Sequence, residues 1–212
     1  MKILSVLNQK GGSCKTTATT NIAVECARRG RRVLIVDTDR QHSAMDWRAM
    51  RAAENVVVVS MTKAHSLAAD VRDLGAPYDL VIIDGEPNIS TMTAVSIKIA
   101  DAILIPIQPT PRDLLGVNAI VDLIKERHSM TDGLPLTAFL VARTSASTKL
   151  SREIDVCLGA LGFPVLDARI HNRQAYPSAE LTGQGVVEAD PAGRGAQEIV
   201  AIVDELIEHH FI

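Results

Sequence analysis

The residues richest in chemistry lie in the segment 8–21, NQKGGSCKTTATTN. Adjacent glycines let backbone N–H groups turn inward toward an anion, and a helix opening just after them adds a favourable dipole. Lys10, Gly11, Gly12, Ser13, Cys14, Lys15, Thr16 and Thr17 are therefore a candidate cradle for nucleotide phosphates. In it Lys15 supplies a point charge to the outer phosphates and the Thr16 hydroxyl is placed to ligate Mg²⁺. The general pattern GxxxxGK(S/T) fails, because Gln9 and Cys14 occupy its two glycine positions, whereas KGGxxK(S/T) is matched in full.

Two acidic segments complete the candidate site. In 37–43, DTDRQHS, alternation along an extended end turns Asp37 and Asp39 the same way, toward the phosphates. In 79–88, DLVIIDGEPN, an apolar strand ends in Asp84 and Gly85, the form of a Walker B carboxylate followed by a flexible switch. Glu86 reads as a solvated bystander and His42 as an exposed first-turn residue, since no His or Cys partner is spaced to complete a metal site with it.

These segments need a scaffold that delivers them to one edge. Short β-branched runs recur at Ile3 to Leu7, Val33 to Val36, Val56 to Val59, Leu80 to Ile83, Ala102 to Ile107 and Leu136 to Val141. Helical patterns alternate with them at Lys15 to Arg29, His42 to Ala53, Ala64 to Leu74, Ser90 to Ile99, Asp113 to His128 and Leu150 to Leu161. Such alternation predicts an α/β fold, a doubly wound and mostly parallel sheet with helices on both faces. Open sheets of this kind bind ligands outside the carboxyl ends of their strands. A last helix, Gly195 to His210, sets Ile199, Ile202, Val203, Leu206 and Ile207 in one stripe opposite Asp204, Glu205 and Glu208.

Composition narrows the function classes. Hydrophobic residues make up 47% of the 212 and aromatics 3%, as expected of a core of Val, Ile, Leu and Ala in one domain spanning 1–212. A net charge of −3 leaves no global basic field, so any DNA contact must use a local patch. Cys14, Cys26 and Cys157 are far apart and odd in number, which fits a reducing cytoplasm rather than a disulfide framework, zinc site or bridging iron–sulfur cluster. No apolar run is long enough for a signal peptide or a membrane span.

With KGGSCKT, DTDRQ and IIDGEP, nearly the whole chain resembles the deviant Walker P-loop ATPases, whose members include ParA, its short ParF-like forms, MinD and nitrogenase iron proteins. The resemblance implies an ATPase that cycles between ATP and ADP with Mg²⁺ and forms an ATP-dependent homodimer, with higher assemblies in some members. Lys10 would reach the partner's phosphates and, with Lys15 and Asp39, act in catalysis, Asp39 positioning the attacking water. Thr16, Asp37 and Asp84 would hold the metal or its hydration shell. Cys14 stands where the family has glycine and Arg40 where it has proline; the thiol either crowds the nucleotide and weakens hydrolysis or, being small, is accepted by a shift of the loop.

The segment 105–116, IPIQPTPRDLLG, is similar to a family segment near the nucleotide and the dimer, with Asp113 expected to cap the helix after it. The segment 170–180, IHNRQAYPSAE, is similar to a late nucleotide-side motif, which makes Arg173 and Gln174 candidates for contact with the base or the partner subunit. Lys149, Arg152, Arg169, Arg173 and Arg194 are the candidates for sequence-nonspecific, salt-sensitive DNA binding. The function implied is nucleoid-associated partitioning or positioning of a plasmid, chromosome or other large cargo, with a small ParB-like adaptor stimulating hydrolysis. No N-terminal helix-turn-helix domain is expected. The alternatives are a MinD-like membrane switch, disfavoured by the acidic end EIVAIVDELIEHHFI, a small-molecule ligase of the dethiobiotin synthetase type, a nitrogenase-like electron donor, and a nucleotide-binding form impaired by Cys14.

Overall fold

Strands built of consecutive apolar residues must be covered on both faces, and the fold does this with two helical layers. The computed structural model describes residues 1–145 and 149–212, the side chains of 149–152 excepted. Its strands are β1 (Lys2–Val6), β2 (Val33–Asp37), β3 (Val56–Ser60), β4 (Leu80–Asp84), β5 (Ala102–Ile107), β6 (Leu136–Thr144) and β7 (Ile170–His171). They form one seven-stranded sheet in the order β3-β2-β4-β1-β5-β6-β7, and every pairing is parallel.

The helices are α1 (Lys15–Arg28), α2 (Ser43–Met50), α3 (Ala64–Gly75), α4 (Thr91–Ile99), α5 (Pro111–Gly116), α6 (Asn118–Met130), α7 (Lys149–Gly159), α8 (Ala175–Glu180), α9 (Val186–Ala189) and α10 (Arg194–Glu208). Alternation along the strands divides the core. Leu4, Val6, Val33, Ile35, Leu80 and Ile82 pack with residues of α1, α2, α9 and α10. On the other face Leu34, Val36, Val81 and Ile83 meet residues of α3 and α4, while Ile103, Ile105, Phe139 and Val141 meet residues of α6 and α7. Because β1 pairs with both β4 and β5, the strand order reverses direction beside β1, where the loop 7–14 leaves the sheet.

The six strands and seven helical runs read from the sequence are present, with four differences. The run Asp113 to His128 forms two helices, because the Thr110 hydroxyl accepts the Asp113 N–H at 3.1 Å and starts a helix at Pro111, where a missing N–H costs nothing. Thr110 is thus the cap expected of Asp113. α2 stops at Met50 rather than Ala53, since Arg51 turns extended to place its side chain elsewhere. β7, α8 and α9, of two, six and four residues, are too short to leave a periodic signature.

In α10 the stripe Ile199, Ile202, Val203 and Leu206 is wholly buried, but Ile207 lies at its edge with 39% of its surface exposed. The acidic side is tied down within the chain: Asp204 meets Arg29 at 2.6 Å, and Glu205 accepts the N–H groups of Asp167 and Ala168 at 2.8 and 2.9 Å. Urea denaturation should therefore separate two neighbours on this helix. Leu206→Ala is expected to lower stability by about 3 kcal/mol, as for a large-to-small change in a close-packed core, and Ile207→Ala by less than about 1 kcal/mol.

Candidate functional site

After β1 the chain must turn sharply to enter α1, and side-chain contacts pin that turn. Asn8 donates to Pro106 O at 2.8 Å and accepts the Lys10 N–H at 3.0 Å, while Gln108 Nε2 donates to Gly12 O at 2.6 Å. Gly11 and Gly12 are exposed. Gly12 and Cys14 both adopt left-handed backbone, with φ of 74° and 72°, a conformation that costs an L-residue roughly 1 kcal/mol more than glycine. The Ser13 hydroxyl is buried and has no hydrogen-bond partner among the described residues. α1 begins at Lys15 with no side-chain cap, leaving its first N–H groups to whatever enters the loop.

The charged groups here are dry. Lys15 is buried, and its ammonium donates to Lys10 O at 3.1 Å; burial pulls its pKa down, with Asp84 and Asp39 opposing. Among the described residues no carboxylate lies within ion-pair distance of it. Asp84 accepts from Thr16 Oγ1 at 2.7 Å and Thr19 Oγ1 at 3.3 Å. Burial pushes its pKa up to about 7, against the Thr16 hydrogen bond and with the Asp37 charge adding to the rise. A half-satisfied ammonium, a helix start without a cap and a hydroxyl–carboxylate pair together suit a polyphosphate carrying a hard divalent cation.

Asp37 pairs in register with Asp84 on the adjacent strand. Its carboxylate accepts the N–H groups of Asp39, Ala44 and Met45 at 3.0, 3.0 and 3.1 Å, so it also seats the first turn of α2. Burial raises its pKa against those three hydrogen bonds. Asp39 is half-buried and accepts the Gln41 N–H at 2.9 Å. His42 is exposed and Glu86 is engaged by the Ser90 hydroxyl. Lys10 pairs with Asp113 at 2.8 Å; the Asp113 side chain has 0% exposure, and its Oδ1 has no partner among the described residues.

Beside the loop lies a cavity of about 270 Å³ walled by Cys14, Thr17, Arg143, Asn172, Arg173, Gln174, Tyr176 and Glu180, among others. Arg173 and Gln174, singled out from sequence, are here, and so is Cys14, whose thiol burial pushes up in pKa while Arg143 opposes. Glu198 fixes one wall by accepting from Arg173 Nε at 2.6 Å and Tyr176 OH at 2.8 Å. Arg143, Asn172 and Tyr176 escaped the sequence reading. Arg143 had a signal, since it lies at the carboxyl end of a strand as Asp37 and Asp84 do, where the sheet bulges between Ala142 and Thr144 and its φ is 49°.

Three basic candidates, Arg169, Arg173 and Arg194, line one groove of about 370 Å³ with His171, among Asp167 and Glu198. Lys149 and Arg152 lie outside the described residues. Among the described residues no helix is long and apolar enough to cross a membrane, and no metal-ligating cluster of three or more His, Cys, Asp or Glu occurs.

Residues 4–187 match a family model described as a CobQ/CobB/MinD/ParA nucleotide binding domain. The chain is 31% identical over 210 residues to maintenance of carboxysome distribution protein A of Halothiobacillus neapolitanus, covering 96% of this chain and 95% of that protein. It is 28% identical over 235 residues to the chromosome-partitioning ATPase Soj of Thermus thermophilus, covering 96% and 94%. Its fold superposes with a TM-score of 0.80 on the septum site-determining protein MinD complexed with Mg-ADP from Pyrococcus horikoshii, at 19% identity over 97% of this chain and 95% of that one. A match over so much of the length, on a sheet whose reversal point carries the glycine loop, means that this chain belongs to the CobQ/CobB/MinD/ParA nucleotide-binding family.

Proposed function

We propose that this chain is a ParA-class ATPase that dimerises on ATP, holds DNA without sequence preference and moves a plasmid, chromosome or other large cargo, with a small ParB-like adaptor stimulating hydrolysis. It acts as a single domain in the cytoplasm, on the nucleoid. The observation that carries this reading is the buried Lys15 ammonium, without a carboxylate partner among the described residues, beside the Thr16–Asp84 contact of 2.7 Å. The N–H groups of Gly11 to Thr17 receive the phosphates, and Lys15 neutralises the outer ones. Thr16 and Asp84 hold Mg²⁺, with Asp37 behind them; the ion supplies positive charge to the phosphate oxygens. Asp39, half-exposed at the loop after β2, orients the attacking water.

The cavity beside Cys14 takes the nucleoside, with Arg173 and Gln174 at its edge. Lys10 is held by Asp113 in the single chain and transfers to the partner's phosphates in the dimer. The Arg169, Arg173 and Arg194 groove is the local surface assigned to DNA, where phosphates would have to displace Asp155 from Arg169 and Glu198 from Arg173. The relatives named above for carboxysome distribution and chromosome partitioning support a cargo-moving role. The engagement of Asp204 and Glu205 within the chain, on an acidic helix, favours DNA over a membrane surface.

ATP turnover and DNA retention, each measured across salt concentrations, test this reading. The native chain is expected to hydrolyse ATP slowly and to retain DNA only with ATP, while Lys15→Ala loses turnover by roughly 100-fold or more. A silent native chain that Cys14→Gly restores would identify the nucleotide-impaired form. DNA retention indifferent to ATP in both versions would remove the segregation role. Sedimentation supplies a second test: Asp113→Asn, which frees Lys10, is expected to lower the ATP concentration needed for dimerisation several-fold, and Lys10→Ala to prevent ATP-dependent dimers.

A further inference from the structure

Two segments border the candidate nucleotide site. One is the loop after β2 that carries Asp39 and runs into α2. The other is the stretch from Asn172 to Glu180, whose side chains wall the cavity beside Cys14. They are far apart in sequence, yet Pro177 and Glu180 of the second line one groove with Ser43, Asp46, Trp47 and Met50 of α2. Outside the site, the end of α2 is also held to α9, the helix that follows the second segment, by an ionic contact that the phosphate chemistry does not use.

At the end of α2, Arg51 has a side chain only 1% exposed. Its guanidinium makes a two-pronged contact with Glu188, Nη1 to Oε2 at 2.8 Å and Nη2 to Oε1 at 2.6 Å. Nη1 also donates to Gly183 O at 2.8 Å and Nη2 to Asn55 Oδ1 at 2.6 Å. The guanidinium carbon lies 5.0 Å from the ring centroid of Trp47, whose Nε1 donates to Gln184 O at 3.3 Å. Gly183 has φ of 63°, and a Cβ there would overlap the Arg51 backbone nitrogen, so the two segments meet backbone to backbone.

A buried ion pair contributes little net stability compared with apolar packing of the same shape, but its fork geometry fixes distance and angle. At the other end of α2, Asp37 holds the N–H groups of Asp39, Ala44 and Met45. The helix between is two turns long and stiff, so a displacement at Arg51 reaches the Asp39 loop.

We propose that the Arg51–Glu188 clamp makes Arg51 a positioning residue, which ties the wall meeting the nucleoside to the loop carrying Asp39, so that a filled cavity sets where Asp39 stands. The inference rests on the nucleotide reading above and adds to it a route by which the nucleoside end governs the phosphate end. Misplacement of a water-orienting group by about 1 Å is enough to slow a phosphoryl transfer by up to roughly 100-fold.

Trp47 is the sole tryptophan of the chain and lies inside the clamp, so its fluorescence reads the coupling directly. Native protein, Arg51→Met and the milder Glu188→Gln are titrated with MgATP, MgADP and magnesium tripolyphosphate, with near-ultraviolet circular dichroism confirming the fold. Native emission is expected to change with ATP and ADP but not with tripolyphosphate. The folded variants are expected to lose that change, with kcat down about tenfold and KM for ATP altered less than about twofold. A folded variant keeping native kcat and native Trp47 response overturns the clamp alone, as does a native response to tripolyphosphate equal to that of ATP. A native chain that binds none of the three ligands overturns the nucleotide reading and the clamp with it.

Discussion

Everything at this edge of the molecule follows from burying Asp84 at the end of a strand covered on both sides. Removing a carboxylate from water disfavours its charged form, and here that moves its pKa to about 7 despite two threonine hydroxyls. The same dry surroundings pull Lys15 the other way. Each group is biased toward neutrality until opposite charge arrives, so the loop favours a ligand that brings both signs at once, an anion with its cation. An all-parallel sheet makes this possible, because every strand delivers its last residue to one rim.

That rim also concentrates unusual backbone. Cys14, His42, Asn88 and Arg143 all have positive φ; the first three lie in segments that leave the carboxyl ends of strands, and Arg143 lies within the last residues of β6. Conformations of this kind persist only where surrounding contacts hold them, and they gather where a chain must turn abruptly around a ligand. Cys14 shows the compromise most clearly, since it keeps the turn that a glycine would make while sending a thiol into the wall of the neighbouring cavity.

How much of this could be read from sequence depended on range. The glycine loop, Asp37, Asp39 and Asp84 were legible because each is written within a few residues of its own strand, and β-branched runs give those strands away. The sheet and its two helical layers followed from the same alternation. What stayed hidden is set by partners distant along the chain or by elements too short for a period. Asp113 looked like a cap until the fold brought Lys10 to it across 103 positions. Arg51 looked like the tail of a helix, and only the contact with Glu188, 137 positions away, explains why α2 stops. The convergence of Arg169, Arg173 and Arg194 depended on the two-residue strand β7, which no pattern announces.

Gly183 constrains more than its own position. Because it admits no side chain against the Arg51 backbone, any substitution there must move the end of α2, which would unseat the guanidinium from Glu188. Gly183, Arg51 and Glu188 therefore form one contact that a change at any of them disturbs, so their substitutions are expected to be non-additive.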